Sequence, residues 1–245
     1  MGGWTLLHLL YVIHRRFTAI TLETRMTEAA ANRLAGICAM LFAPLLIIGF
    51  GVIVGFSPLI DDPAAEVATY YRELNFGRVL LGEWLELLSF IGLLVFAARI
   101  AHLVRDSSGA WLGRLELAAA TSVSAIAFVG IAILIAGTHI GSHGDMEPQQ
   151  YVLLNTIRNS THWISSMLLG LWMLAMAGVI LNTRLFPQWL GWASVGIGIV
   201  LLVLPAAPAL QGAVDIAQLL FMVWLFIVGA ILLARPTRPL SEGRN

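Results

Sequence analysis

The sequence contains no lysine and a single cysteine, and only 11% of its 245 residues are charged, against about 25% in an ordinary soluble domain. Cys38 stands alone inside an apolar run, which excludes an intramolecular disulfide and any multi-thiolate metal site and leaves it as a small apolar residue. The formal net charge is zero and no basic tract exceeds Arg15 and Arg16. The electrostatic footprint required for nucleic-acid binding is therefore missing. There is no P-loop, no GxSxG elbow, no HExxH, no CxxC and no dinucleotide fingerprint, so the familiar catalytic signatures are absent. All fourteen basic side chains are arginines, which carries no functional reading by itself.

What the chain has instead is apolar residues, which make up 59% of it, with a mean hydropathy of +0.86. A helix needs about 20 apolar residues to cross roughly 30 Å of hydrocarbon. Six stretches qualify: Leu34 to Phe56, Val79 to Val104, Leu115 to Thr138, Trp163 to Leu181, Trp189 to Leu210 and Ala213 to Ala234. The connections are short apart from an acidic stretch around Asp61 to Asn75 and a second from Gly141 to Thr161, which leaves no room for a soluble domain. The predicted architecture is an all-α polytopic membrane protein, one bundle of about six transmembrane helices over residues 26–235 with a tail over 236–245. Pro44 and Pro205 should kink or end their helices. The pairs Ser194 and Gly198, and Ala132 and Ala136, recur at helix-packing spacing.

Arginine asymmetry sets the expected orientation, since cytoplasmic loops hold the excess of positive charge. With both termini inside, eleven arginines fall on the cytoplasmic side and three, Arg72, Arg78 and Arg158, outside. Trp111, Trp163, Trp189 and Trp192 fit anchoring at the interface. On the cytoplasmic side Arg99, His102, Arg105, Arg114 and Glu116 are expected to snorkel at the membrane surface, where they would attract anionic headgroups. The apolar run Trp4 to Ile13 within residues 1–25 is too short to span. It is either an interfacial amphipathic segment or lies upstream of a start at Met26.

Ionisable groups inside spans are expensive and mark candidate sites. GEWLELL places Glu83 and Glu86 three residues apart on one face of the second span. GTHIGSHGD carries His139 and His143 four apart, and NTIRNSTHWISS sets Asn155, Asn159, His162 and Ser166 in a stripe with Arg158 beside it. The last span opens with Gln211, Asp215 and Gln218. If these faces converge, Glu83, Glu86, His139, Arg158, His162 and Asp215 form one outward-facing polar pocket.

Several chemistries suit such a pocket. Imidazole and carboxylate from His139, His143, His162 and Glu86 would hold a divalent metal. Haem between His139 and His162 is a further option. Paired carboxylates beside histidines would relay protons or act as general acid and base. Against these stands a structural account, in which Glu83, Glu86 and Asp215 favour the positive ends of their helix dipoles and Arg158 pairs with a carboxylate to lower the cost of burial.

NRLAGICAMLFAPLLIIG, DDPAAEVATYYREL and LFPQWLGWASVGIGIVLL together resemble a family of bacterial multi-pass membrane proteins defined as a domain of unknown function. The resemblance runs from Met26 onward and implies a six-helix bundle in the bacterial inner membrane, without bringing an activity, cofactor or catalytic residue. The expected function is binding or transport of a small or lipid-like ligand. A membrane-embedded enzyme and a structural or regulatory subunit are the competing classes. The expected partners are membrane lipid and either a second copy or another membrane protein.

Overall fold

The computed structural model describes residues 28–55, 57–143, 146–207 and 210–235. The readings of residues 1–25, of the Met26 start and of the tail 236–245 lie outside the described residues. All regular structure among the described residues is helical. Helix α1 spans Glu28–Leu46 and includes Pro44. The chain does not stop there but widens into a π-helical segment, Ile47–Val54. A proline removes one backbone donor and crowds the preceding turn, and the π segment begins three residues later.

Within the acidic stretch, Pro63 caps a short helix, α2 (Ala64–Glu73), whose Val67, Ala68 and Tyr71 form a buried face. Asn75 accepts a hydrogen bond from the Arg78 amide and starts α3, Phe76–Leu103. Helix α4 covers Ala110–Gly141 and α5 covers Pro148–Thr183. Pro148 sits where its missing N–H has no helical partner to lose. Arg184, at φ 54°, turns the chain out of α5 in the left-handed conformation. Helix α6 (Gln188–Val203) ends in a 3₁₀ turn, Leu204–Ala206, that contains Pro205, and α7 runs Gln211–Leu233.

Six of these helices are long and apolar enough to cross a bilayer. They close a ring in which α1, α3, α4, α5, α6 and α7 each pack on the next, with α7 returning to α1. Trp172 of α5 fills the middle, its ring 5.7 Å from Phe221, 5.8 Å from Trp224 and 6.3 Å from Phe96. Between helices in lipid the hydrophobic drive is weak, so close backbone approach does the holding. A Cβ added at Gly170 would lie 2.7 Å from the Gly198 carbonyl, and one at Gly36 would lie 2.7 Å from the Gly229 carbonyl. Ala132 and Ala136 are exposed and take no part in such a seam.

Two residues expected to snorkel do not. Glu116 is fully buried and accepts a hydrogen bond of 2.6 Å from the Trp172 indole. Arg99 is buried against α1, donating to Asn32 and pairing with Glu28. Both helices are apolar around most of their circumference, so the spacing of polar residues does not reveal which side faces inward.

The bundle has two heights. At the end holding the described termini the helices finish level, with Arg235 donating to the Leu185 carbonyl. The 19 residues from Gln188 to Ala206 span about 28 Å, close to the hydrocarbon thickness, whereas the 32 residues of α4 span about 48 Å. Gln218, seven residues into α7, meets Ser166 and His162, eighteen and fourteen residues into α5. Helix α5 therefore rises about 10 to 16 Å beyond the start of α7. The upper turns of α3, α4 and α5, the π segment and α2 form this raised tier. The expected fourth span from Trp163 thus begins fifteen residues earlier, at Pro148.

Candidate functional site

The raised tier is closed over by α2 and the segment before it, and specific side chains hold that cover down. Asn155 Nδ2 donates to the carbonyls of Pro58 and Leu59, each at 3.2 Å, and Asn159 Nδ2 donates to Pro58 at 3.3 Å. Arg72 donates to the Met146 carbonyl and lies over the Tyr151 ring. Tyr71 stacks on Tyr151 at 5.7 Å and meets Tyr70 edge-on at 5.3 Å. Gly137 and Gly141 of α4 make room for this, since a Cβ at Gly137 would fall 2.8 Å from the Tyr71 ring.

Beneath the cover lie the two carboxylates of α3. Glu83 is only 2% exposed and Glu86 is half-buried. Gly49 of the π segment packs on Gly82 and the Glu86 amide, which fixes α1 against this turn. Arg158 of α5 is within electrostatic reach of both carboxylates and of both tyrosines of α2, and its guanidinium lies 5.5 Å from the Phe50 ring centroid. No ion pair joins Arg158 to Glu83 or Glu86 among the described residues.

Of the eight buried side-chain polar atoms without a hydrogen-bond partner among the described residues, six belong to this tier. They are the hydroxyls of Tyr70, Tyr71, Tyr151 and Thr138, Oε1 of Glu83 and Oδ1 of Asn155. Buried polar groups are normally partnered, so such a concentration at one end of a bundle needs a local reason. Burial pushes the Tyr71 phenol up to about 12 and raises that of Tyr70, with Arg158 opposing the shift in both. Both tyrosines are neutral hydroxyls at physiological pH.

Of the remaining predicted residues, His162 is within electrostatic reach of Arg158. His162 is exposed one turn below Arg158, with Nε2 3.4 Å from Nε2 of Gln218, which in turn donates to Ser166. Asp215 of α7 is exposed and within electrostatic reach of His162. No hydrogen bond or ion pair joins His162 to Glu86 among the described residues. His139 and His143 are exposed at the top of α4, 5.0 Å apart, with His139 also 5.2 Å from Phe76. Thr161 packs beside Gly130, with His139 nine residues above that level and His162 one below it, so their backbones differ in height by about 15 Å. Among the described residues no three His, Cys, Asp or Glu side chains come together as a metal site.

Tyr70, Tyr71, Tyr151 and Thr138 are absent from the sequence reading. The available signal was the i, i+1, i+4 face of Val67, Ala68 and Tyr71 after Pro63, which marks a helix lying on the bundle.

The profile of a domain of unknown function, DUF4386, matches residues 34–235. The chain belongs to this family. The match takes in most of the first span, the other five spans and the covered site, so the site lies within the DUF4386 domain. No curated protein and no solved structure matches the chain.

Proposed function

We propose that this DUF4386 protein binds a small amphipathic molecule, with the polar head under α2 and the apolar part directed toward lipid. The observation that carries the reading is the group of buried polar atoms without partners in the raised tier, among them Oε1 of Glu83 and the Tyr71 hydroxyl, both within electrostatic reach of Arg158. Left without partners, each such group costs about 1 to 3 kcal/mol. A ligand that satisfies several of them gains that free energy on binding.

The height of the site supports an amphipathic ligand over a wholly soluble one. Arg158 is ten residues into α5, close to the level at which α7 begins. The polar cluster is thus level with the membrane–water boundary on the side where α6 and α7 stop, and a head group can enter it while its tail stays in hydrocarbon. In this proposal the protein lies in a bacterial cytoplasmic membrane, with the raised tier on the outer side and membrane lipid as its surrounding partner.

Native mass spectrometry of the protein released from detergent tests the reading. A discrete adduct is expected on the wild type and lost from Glu83→Gln and from Asn155→Ala. A bare wild-type mass, or the same adduct on all three proteins, would overturn it.

A further inference from the structure

At the raised end of α4, His139 lies in the last turn of the helix and His143 just beyond it, and both are exposed. Ser142, at φ −65° and ψ −18°, continues the helical turn, so the two side chains share one face. Their rings are 5.0 Å apart between centroids and inclined at 62°. Two imidazoles bound side by side to one metal ion hold it at about 2.0 to 2.1 Å from their nitrogens, which puts the ring centres about 4.5 to 5.2 Å apart for angles from square-planar to tetrahedral. The observed separation is that of a chelating pair.

The hydrogen bonds around His143 fix which of its nitrogens is free. The His139 carbonyl can only accept, and it receives Oγ of Ser142 at 2.7 Å and Nδ1 of His143 at 2.8 Å. Nδ1 of His143 therefore carries a proton. Oγ of Ser142 has given its own hydrogen to that carbonyl, so at 3.2 Å it accepts from the same Nδ1. A neutral imidazole protonated on Nδ1 has its lone pair on Nε2. Metal-bound histidines are oriented in this way, with the second ring N–H given to a backbone carbonyl. Capping the last turn of a helix accounts for the Nδ1 contact but makes no use of Nε2. The His139 ring is steadied from its other side by Phe76 of α3, 5.2 Å away.

We infer that His139 and His143 chelate one divalent late transition-metal ion, Cu²⁺ most tightly, with water in its remaining positions. Imidazole nitrogens suit Cu²⁺, Ni²⁺ and Zn²⁺, whereas Mg²⁺ and Ca²⁺ require oxygen ligands. Zinc sites take three or four protein ligands, and no third His, Cys, Asp or Glu joins this pair among the described residues. Tetragonal Cu²⁺ accepts two adjacent nitrogens and stands highest in the divalent affinity order. The site uses neither His162 nor Glu86, and it does not depend on the amphipathic ligand proposed above.

The test is calorimetric titration of the full chain, without a histidine tag, in detergent with glycine as a competing chelator, using CuCl₂, ZnCl₂ and MgCl₂. One Cu²⁺ per chain is expected, with Zn²⁺ weaker and Mg²⁺ without effect, and the electron paramagnetic resonance spectrum of the bound Cu²⁺ should show coupling to two nitrogens. His139→Ala and His143→Ala should each weaken Cu²⁺ binding by at least roughly tenfold to a hundredfold, the loss that follows removal of a mere supporting hydrogen bond. If His143→Ala loosens the end of α4, His143→Asn restores an N–H donor for the carbonyl while still removing the ligand. His102→Ala, in the last turn of α3 at the opposite end of the bundle, should leave the titration unchanged. Absence of Cu²⁺ binding, undiminished binding in the His139 or His143 variants, coupling to fewer than two nitrogens, or one ion per two chains would each overturn the assignment.

Discussion

Replacing Trp172 by Phe should expose how the interior of the bundle is held, because this one side chain joins four helices. Its indole donates at 2.6 Å to Glu116, and both residues are fully buried. The other oxygen of Glu116 has no partner, so the substitution leaves the carboxyl without any hydrogen bond. Interhelical hydrogen bonds in membrane proteins average about 0.6 kcal/mol and reach about 1.7. A short bond to a carboxyl between two wholly buried residues belongs at the upper end, about 1.5 kcal/mol. Loss of ring contacts to Phe96, Phe221 and Trp224 adds to this, for a total of about 2 to 3 kcal/mol. A double-mutant cycle with Glu116→Leu separates the bond from the packing, read by unfolding in mixed micelles of increasing SDS. The expected coupling is about 1.5 kcal/mol. A coupling below about 0.5 kcal/mol, within the scatter of additive sites, would refute the view that Trp172 and Glu116 act as a unit.

Gly170→Ala should destabilise the α5 and α6 pair by about 1 to 3 kcal/mol, because the new methyl would sit 2.5 Å from the Leu202 amide nitrogen. A melting temperature equal to that of the wild type would show that the helices separate freely. Asn155→Ala removes both bonds to the Pro58 and Leu59 carbonyls and should speed hydrogen exchange through α2 while leaving α6 unchanged. Reporter tags after Arg105 and after Asn245 should face the cytoplasm and one near Glu147 the outside, as the arginine asymmetry requires. An external tag at Asn245 would refute that orientation.

The spans were legible because length and hydropathy alone decide whether a helix can cross a bilayer, and each of the six expected runs overlaps a spanning helix. The lower ends were placed closely, as with Val104 against Leu103 and Leu181 against Thr183. The upper end of α5 was not, because Asn155, Arg158 and Asn159 lower the local hydropathy. In the folded chain those residues bind the cover and face Phe50 rather than forming a loop. Spacing suggests that Arg158 pairs with Glu83 or Glu86, and no such ion pair forms among the described residues. The inclusion of Tyr70 and Tyr71 was not legible, since it depends on how α2 folds back across α4 and α5. His139 and His162 both belong to polar stripes, yet stripes on neighbouring helices give no relative height. That offset is fixed by contacts such as Gly130 against Thr161.

The wide-turned segment Ile47–Val54 makes the length of α1 a structural variable in its own right. An α-helix advances about 100° per residue, and a π turn accommodates one residue more than an α turn. Deleting a single residue between Ile47 and Val54 would let the segment tighten into an ordinary helix that keeps the phase of its upper portion, whereas the same deletion in an α-helical stretch would swing that portion by about that angle. Gly49, which seats α1 on Gly82, and Phe50, which lies beneath Arg158, are adjacent in the chain. The wide turn is therefore where a one-residue change in the length of α1 is absorbed, between the membrane bundle and its polar tier.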